Sequence, residues 1–330
     1  MKKLKVIELF SGIGAPKMAL KSLGIDHEVI GISEILPTSI NIYNILHGET
    51  KNYGDIKNIE SLPECGLIHF SSPCIDFSQA GKKLGMSGKG GSSLLYEVYR
   101  LFSNYDKNSL PNFFSFENVP DLKTRKCFSQ NYKEFKDFFF NLGYNIYDDI
   151  LCAKYFDTPN IRKRLFAVGI RKDIDNGNFS FPQEKEITKL RIKDFLLSSD
   201  EKYLWKHDNI FHPLTDDENN LDTTRKIGWL ESGCGHETQS NRVWSINGMC
   251  PTITTNASII VRKSDNKYYR LSEEELWALQ GFKKEDFDKI RGKFSKSAII
   301  KAIGNSICPN VLEAIYYNLF LKENKNDNWY

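Results

Sequence analysis

The chain is predicted to fold as a doubly wound, Rossmann-like α/β sheet with a smaller, loop-rich second domain. Three observations predict it. From residue 4 to about 170, short apolar runs alternate with longer amphipathic segments, the pattern of parallel strands joined by crossover helices. A glycine-bearing turn, Phe10-Ser-Gly-Ile-Gly14, follows the first apolar run. Past Phe181-Pro182 the alternation stops, and a polar, irregular stretch runs from about 184 to 268.

Taken in order, Val6–Phe10, Glu28–Ile32, Leu67–Phe70, Phe113–Phe116 and Leu165–Ile170 read as buried parallel strands. Each is short and rich in apolar residues, as strands covered on both faces are. Pro16–Leu23, Thr38–Leu46, Ser93–Phe102 and Tyr132–Leu142 read as the helices between them, with Pro16 near a helix start, a favoured place for proline. Helical periodicity returns at Ser272–Gln280, where Ser272 and Glu275 form a capping box. Pro309–Leu321 is apolar enough to pack back onto the first domain. The expected division is a domain over 1–183, completed by 297–330, and a second domain with its hinge over 184–296.

Composition sets bounds. A chain of 330 residues can hold one sizeable core and a smaller domain. No apolar run approaches the ~18 residues of a membrane span. The start has a charged lead, but its apolar stretch is broken at Glu8, so it reads as a first strand and not as a signal peptide. The expected location is the cytoplasm. The seven cysteines (65, 74, 127, 152, 234, 250, 308) are scattered without a Cys-x-x-Cys, which suits reduced thiols. Cys234-Gly-His236 lacks a second ligand pair, so no metal is expected. A net charge of +3 is too slight to demand a polyanion, but basic residues cluster at Lys82, Lys83 and Lys89, at Lys123–Lys126 and at Arg162–Arg164. Such patches serve as phosphate contacts or as solvated surface.

In open α/β sheets ligands bind beyond the carboxyl ends of the strands, where Gly12, Glu34, Pro73 and Glu117 all fall. Gly12 and Gly14 permit a tight turn and close backbone approach. Glu34 ends the second strand, the position from which an acid binds ribose hydroxyls. Asp55 suits an exocyclic adenine amine. The third glycine of the dinucleotide fingerprint is absent, which fits either a structural turn or a ligand with ribose and adenine but no phosphate, such as S-adenosyl-L-methionine.

Pro73-Cys74 opens a loop with glycines at 81, 85, 88, 90 and 91, a density that suits a moving lid. Cysteine is a nucleophile only as thiolate, a form that positive neighbours favour. Glu117, in Glu117-Asn118-Val119-Pro120 at the end of a strand, is either a solvated carboxylate or an acid able to protonate a ring nitrogen. Arg162 and Arg164 alternate along an extended run and are expected to face one side.

Together these segments resemble the C5-cytosine DNA methyltransferases, nearly end to end. Ile7-Glu-Leu-Phe-Ser-Gly-Ile-Gly14 is similar to the family's first motif, and Pro73-Cys74 with Phe77-Ser78 to its nucleophile motif. Glu117-Asn118-Val119 resembles the acid motif, and Arg162-Lys-Arg164 the Gln-x-Arg-x-Arg element. Arg270-Leu-Ser…Leu279-Gln-Gly-Phe282 and Gly304-Asn-Ser306 resemble the last two motifs. Arg242-Val-Trp…Gly248-Met-Cys-Pro-Thr-Ile-Thr254 is similar to the segment around the target-contacting Thr-Leu pair. The sequence departs from the pattern at Ser72, Ile75, Asn160 and Ala15; none removes a group the reaction needs.

The resemblance implies the S-adenosylmethionine-dependent methyltransferase fold, with residues 184–296 as target-recognition domain and hinge. It implies transfer of a methyl group from S-adenosyl-L-methionine, leaving S-adenosyl-L-homocysteine, to C5 of a flipped-out cytosine through a covalent Cys74–C6 adduct. Cys74, Glu117, Asn118, Arg162 and Arg164 would be catalytic, with Asn118 orienting the Glu117 carboxylate, Arg164 at the base O2 and Arg162 holding phosphate. Phe10, Ser11, Gly12, Gly14, Glu34, Ile35, Asp55, Ile56, Pro73, Asn305 and Ser306 would bind the methyl donor, Phe10 stacking on its adenine. Ser78, Lys82, Lys83, Arg242, Thr252 and Ile253 would contact double-stranded DNA. A monomer is expected, with a cognate restriction endonuclease as partner in a restriction-modification system. The alternatives are a tRNA cytosine-5 methyltransferase and a catalytically silent DNA-binding relative.

Overall fold

The computed structural model describes residues 3–73, 93–184, 186–198, 200–205, 210–214, 221–231 and 235–322. The chain divides into two compact units: Met1–Leu151, Lys163–Gln183 and Val311–Tyr330 make the first, Cys152–Arg162 and Glu184–Asn310 the second.

In chain order the first unit begins β1 (Leu4–Leu9), α1 (Ala15–Ser22), β2 (His27–Ser33), α2 (Pro37–His47), β3 (Leu67–Phe70), α3 (Leu94–Ser103) and β4 (Phe113–Asn118). It continues through α4 (Asp121–Thr124), α5 (Ser129–Leu142) and β5 (Tyr144–Cys152). The two-residue β6 (Asn160–Ile161) then precedes β7 (Lys163–Arg171). The six-stranded sheet has the order β2-β1-β3-β4-β7-β5. Strands β1 to β4 are parallel, and β4 is buried at every position, as a strand covered on both faces must be.

The expectation of a parallel Leu165–Ile170 strand is corrected: β7 runs antiparallel to β4. A parallel partner needs a crossover of about a dozen residues or more, usually a helix. Between β5 and β7 there is only a 3-10 turn and β6. Strand β5 itself is missing from the sequence reading. It ends the sheet order, and its middle is only half-buried, so Asn145, Asp148 and Asp149 interrupt the apolar signal. The reversal has a consequence for chemistry. It pairs the start of β7 with the end of β4, Leu165 opposite Asn118, and so brings Arg164 beside Glu117.

One face of the sheet packs on α3 and α5 through an aromatic core. The Phe114 and Phe139 rings lie 4.2 Å apart, and Phe102 stands edge-on to Phe139 at 5.0 Å. Gly169 sits opposite Phe114 in the β4–β7 ladder, where a Cβ would come within 1.9 Å of the ring. Helix α9 (Pro309–Phe320) belongs with this unit from Val311 onward, and its Phe320 packs edge-on against Phe113.

The second unit contains β8 (Phe211–Pro213), β9 (Lys226–Leu230), β10 (Arg242–Trp244), β11 (Cys250–Pro251), β12 (Ile260–Arg262) and β13 (Tyr268–Arg270). Five of these form a sheet of order β13-β12-β10-β9-β8 around Leu230, Val243 and Ile260; β11 pairs with β6. Helices α6 (Glu273–Leu279), α7 (Lys284–Ile290) and α8 (Lys296–Asn305) follow. Helix α6 starts at the expected capping box: Ser272 Oγ accepts from Glu275 N, and Glu275 Oε2 from Ser272 N. Helix α8 packs against α6, so residues 297–310 group with the second unit although the sequence reading joined them to the first. Buried Trp277 anchors the helical part, its ring tilted against Phe282 at 4.5 Å and its Nε1–H donated to Lys283 O.

Candidate active site

At the carboxyl ends of β1 and β2 the structure brings together several residues expected to bind the methyl donor. Phe10 takes φ +55°, a left-handed conformation that is strained for a bulky side chain and clusters at functional sites. Gly12 and Gly14 follow at φ +54° and +81°. The Gly12 N–H donates to Glu34 Oε2 at 2.9 Å, while Glu34 Oε1 accepts from Ile35 N and Leu36 N, both at 2.8 Å. Glu34 is thereby clamped to the glycine turn, with a lone pair of Oε2 left to accept a further donor.

Asp55 caps a 3-10 turn, Ile56–Asn58, by accepting from Lys57 N, and Ile56 is buried in the core below. Ser11 is buried in the turn and Ile35 is exposed beside it. Asn52, absent from the sequence reading, ties these parts together. Its Oδ1 accepts from Glu34 N and Gly54 N, and its Nδ2 donates to Glu34 O. The available signal was an Asn two residues before the Gly54-Asp55 turn. The group expected here fits: at Gly12 nothing lies within 4 Å of where a Cβ would stand, so a ligand can approach the backbone beside an acceptor carboxylate.

The second constellation lies at the ends of β3 and β4. Glu117 is buried and both its oxygens are engaged. Oε1 pairs with Arg164 Nε at 2.9 Å, and Oε2 accepts from Ser71 Oγ at 2.5 Å. Arg164 also donates Nη1–H to Lys163 O. Pro73, half-buried, is the last described residue of this segment. Cys74, Ser78, Lys82 and Lys83 lie outside the described residues.

Three expectations are corrected. Asn118 does not orient the Glu117 carboxylate. Its Nδ2 donates to Ser72 O and Oγ, and its Oδ1 accepts from Val119 N, because successive strand residues point to opposite faces. Arg162 does not offer its guanidinium to phosphate. It is 5% exposed and donates to Ile253 O, Gly304 O and Ser306 O. It falls between β6 and β7, where strand alternation with Arg164 no longer applies. Ile253 is fully buried, which removes its side chain from contact with DNA.

The remaining expected residues sit in the second unit. Thr252 is half-buried with its hydroxyl donating to Ile161 O. Arg242, on β10, pairs through Nε with Glu237, which also holds Lys226. Asn305 is exposed at the end of α8. The carbonyl of buried Ser306 accepts from both Arg162 and Gln280, and Gln280 Oε1 in turn accepts from Asn160. The departure at Asn160 therefore keeps a buried partner. These motif residues form one hydrogen-bonded knot within the second unit.

Comparison with known proteins agrees with this arrangement. The family described as C-5 cytosine-specific DNA methylase matches residues 4–321. The orphan methyltransferase M.SPRI of Bacillus phage SPR is 32% identical over 294 residues, 78% of this chain and 65% of the phage protein. The type II methyltransferase M2.ScrFI of Lactococcus lactis subsp. cremoris is 27% identical over 381 residues, covering 96% and 99% of the two chains. The solved structure of S. pombe Dnmt2 methyltransferase superposes with a TM-score of 0.69 at 21% identity, over 96% of this chain and 97% of that one, a likeness of fold alone. With six motif segments in order and a match across nearly its whole length, the chain belongs to the C-5 cytosine-specific DNA methylase family.

Proposed function

We propose that the chain methylates C5 of a specific cytosine in double-stranded DNA, with Cys74 as covalent nucleophile. The observation that carries the reading is the buried Glu117 carboxylate, held on both oxygens at the end of β4, one strand over from the segment leading to Cys74. Cytosine C5 is a poor nucleophile until a thiolate adds at C6. The Cys74 thiolate forms the S–C6 bond while Glu117 passes a proton to N3 and accepts from the exocyclic amine. The electron pair gathered at C5 would then take the methyl group as its bond to the donor sulfur breaks and the thioether, S-adenosyl-L-homocysteine, leaves. A base would remove the C5 proton, N3 would return its proton to Glu117, and the S–C6 bond would break to restore the thiolate and the C5=C6 double bond. Arg164 holds Glu117 and neutralises the charge left on it.

Phe10, Ser11, Gly12, Gly14, Glu34, Ile35, Asp55 and Ile56 would hold S-adenosyl-L-methionine, whose sulfonium supplies an electrophilic methyl group. Reaching C6 requires the cytosine to leave the duplex, at a cost of a few kcal/mol. Lys82 and Lys83 would offset this by binding phosphate, and Arg242 in the second unit by reading neighbouring base edges. The type II names of relatives support a role beside a restriction endonuclease, and orphan relatives support a solitary one.

The test uses duplex DNA carrying 5-fluorocytosine at the methylated site, offered with labelled methyl donor. The wild-type protein is expected to become trapped covalently and Cys74→Ala to lose both trapping and turnover. Full turnover by Cys74→Ala would overturn the covalent route. Better methylation of tRNA than of any duplex in the parallel arm would overturn the substrate.

A further inference from the structure

We infer that Ser71 is a positioning residue for the reaction, fixing and electrostatically supporting the Glu117 carboxylate. This rests on the acid role proposed for Glu117. The β3–β4 ladder pairs Phe70 with Phe116, so the next step places Ser71 beside Glu117 on neighbouring strands about 4.8 Å apart. A two-atom side chain spans that gap, and the Ser71 hydroxyl donates to Glu117 Oε2 at 2.5 Å.

With Arg164 Nε on Oε1, the two donors leave each carboxylate oxygen one lone pair or proton for the substrate. Those two positions are what N3 and the exocyclic amine of a cytosine need side by side. Negative charge grows on the carboxylate as its proton passes to N3. The Ser71 bond therefore strengthens toward the transition state, which is the condition for lowering the barrier and not merely improving binding. Ser72, the neighbouring hydroxyl, does separate work: it accepts from Asn118 Nδ2 and ties the two strand ends together.

The experiment measures single-turnover methyl transfer by the full chain, on a duplex carrying the site mapped by sequencing methylated cytosines in cells that express it. Ser71→Ala and Ser71→Gly are expected to slow the rate about 10- to 100-fold, the range of a lost hydrogen bond to a charged group. KM for DNA and for methyl donor should move less than about 2-fold. Ser71→Thr, which keeps the hydroxyl, should recover to within about 3-fold of wild type. In a Glu117→Gln background, Ser71→Ala should cost less than about 2-fold, because its target is gone. A wild-type rate in Ser71→Ala, or an equal loss in the Glu117→Gln background, would refute the role of Ser71. A wild-type rate in Glu117→Gln itself would instead retire the acid reading. If alanine lowers the melting temperature, the glycine and threonine variants still decide the matter.

Discussion

Arg162 and Arg164 stand two positions apart and hold quite different partners. Arg164 ion-pairs with the candidate acid, whereas Arg162 satisfies three backbone carbonyls within the second unit. Losing a charged donor from buried acceptors costs the full desolvation of those acceptors. Arg162→Ala is accordingly expected to lower stability by about 2–4 kcal/mol, seen as an earlier urea midpoint. A midpoint unchanged beside a lost rate would return Arg162 to the chemistry. Glu117 and Glu34 were legible from their places at strand ends. The misreadings of Asn118 and Arg162 were failures of side-chain direction, which spacing gives only inside an unbroken strand.

At the scale of elements, a buried polar row crosses the sheet. Glu8 on β1 lies opposite His69 on β3, and His69 opposite Ser115 on β4. Ser115 Oγ hydrogen-bonds His69 Nδ1 at 2.8 Å and the Tyr316 hydroxyl of α9 at 2.9 Å, keying the C-terminal helix onto the two strands that lead to Cys74 and Glu117. Burial dominates the titration of the row. It pushes the Glu8 carboxyl up from 4.5 to about 7, against the opposing pull of Lys17, and the His69 imidazole down from 6.5 to about 3. The folded protein thus holds the Glu8 proton more tightly than the unfolded chain does. Stability from Glu8 is fully present below pH 4.5 and is lost as pH rises through about 7. His69 acts in the other sense, losing its contribution as pH falls below 6.5. Glu8→Gln is expected to gain about 1–3 kcal/mol at pH 8 and almost nothing at pH 4. An equal change at both, by denaturant unfolding, would place the proton elsewhere. The strands were readable from apolar runs, but this row was not, because three polar residues on separate strands meet only when register is set.

At the scale of the whole molecule, the modest net charge leaves DNA affinity to local patches. Replacing Lys82, Lys83 and Lys89 together with alanine is expected to weaken DNA binding. It should also flatten the slope of log affinity against log salt by about 2–3, roughly 0.9 for each phosphate contact removed. A parallel slope would show that these lysines do not meet phosphate. The change of pattern after Phe181-Pro182 falls where the chain passes from Gln183 to Glu184, but nothing in it marked Cys152–Arg162 as part of the second unit. The detail of that unit was not legible either: the second sheet uses strands of three to five residues, too short for alternation to declare itself. Residues 297–310 fall in the second unit, and the first unit resumes at Val311.

The amino-acid order by itself determined the strand–helix alternation, the glycine turn, and the sequence of motifs that identifies the family. All are local patterns, written in neighbouring residues. Only the tertiary structure decided that β7 reverses, that Arg164 therefore reaches Glu117, and that Ser71 meets the same carboxylate from the other side. Those contacts join residues 46 positions or more apart, where pairing depends on strand direction and register and no local preference reports them.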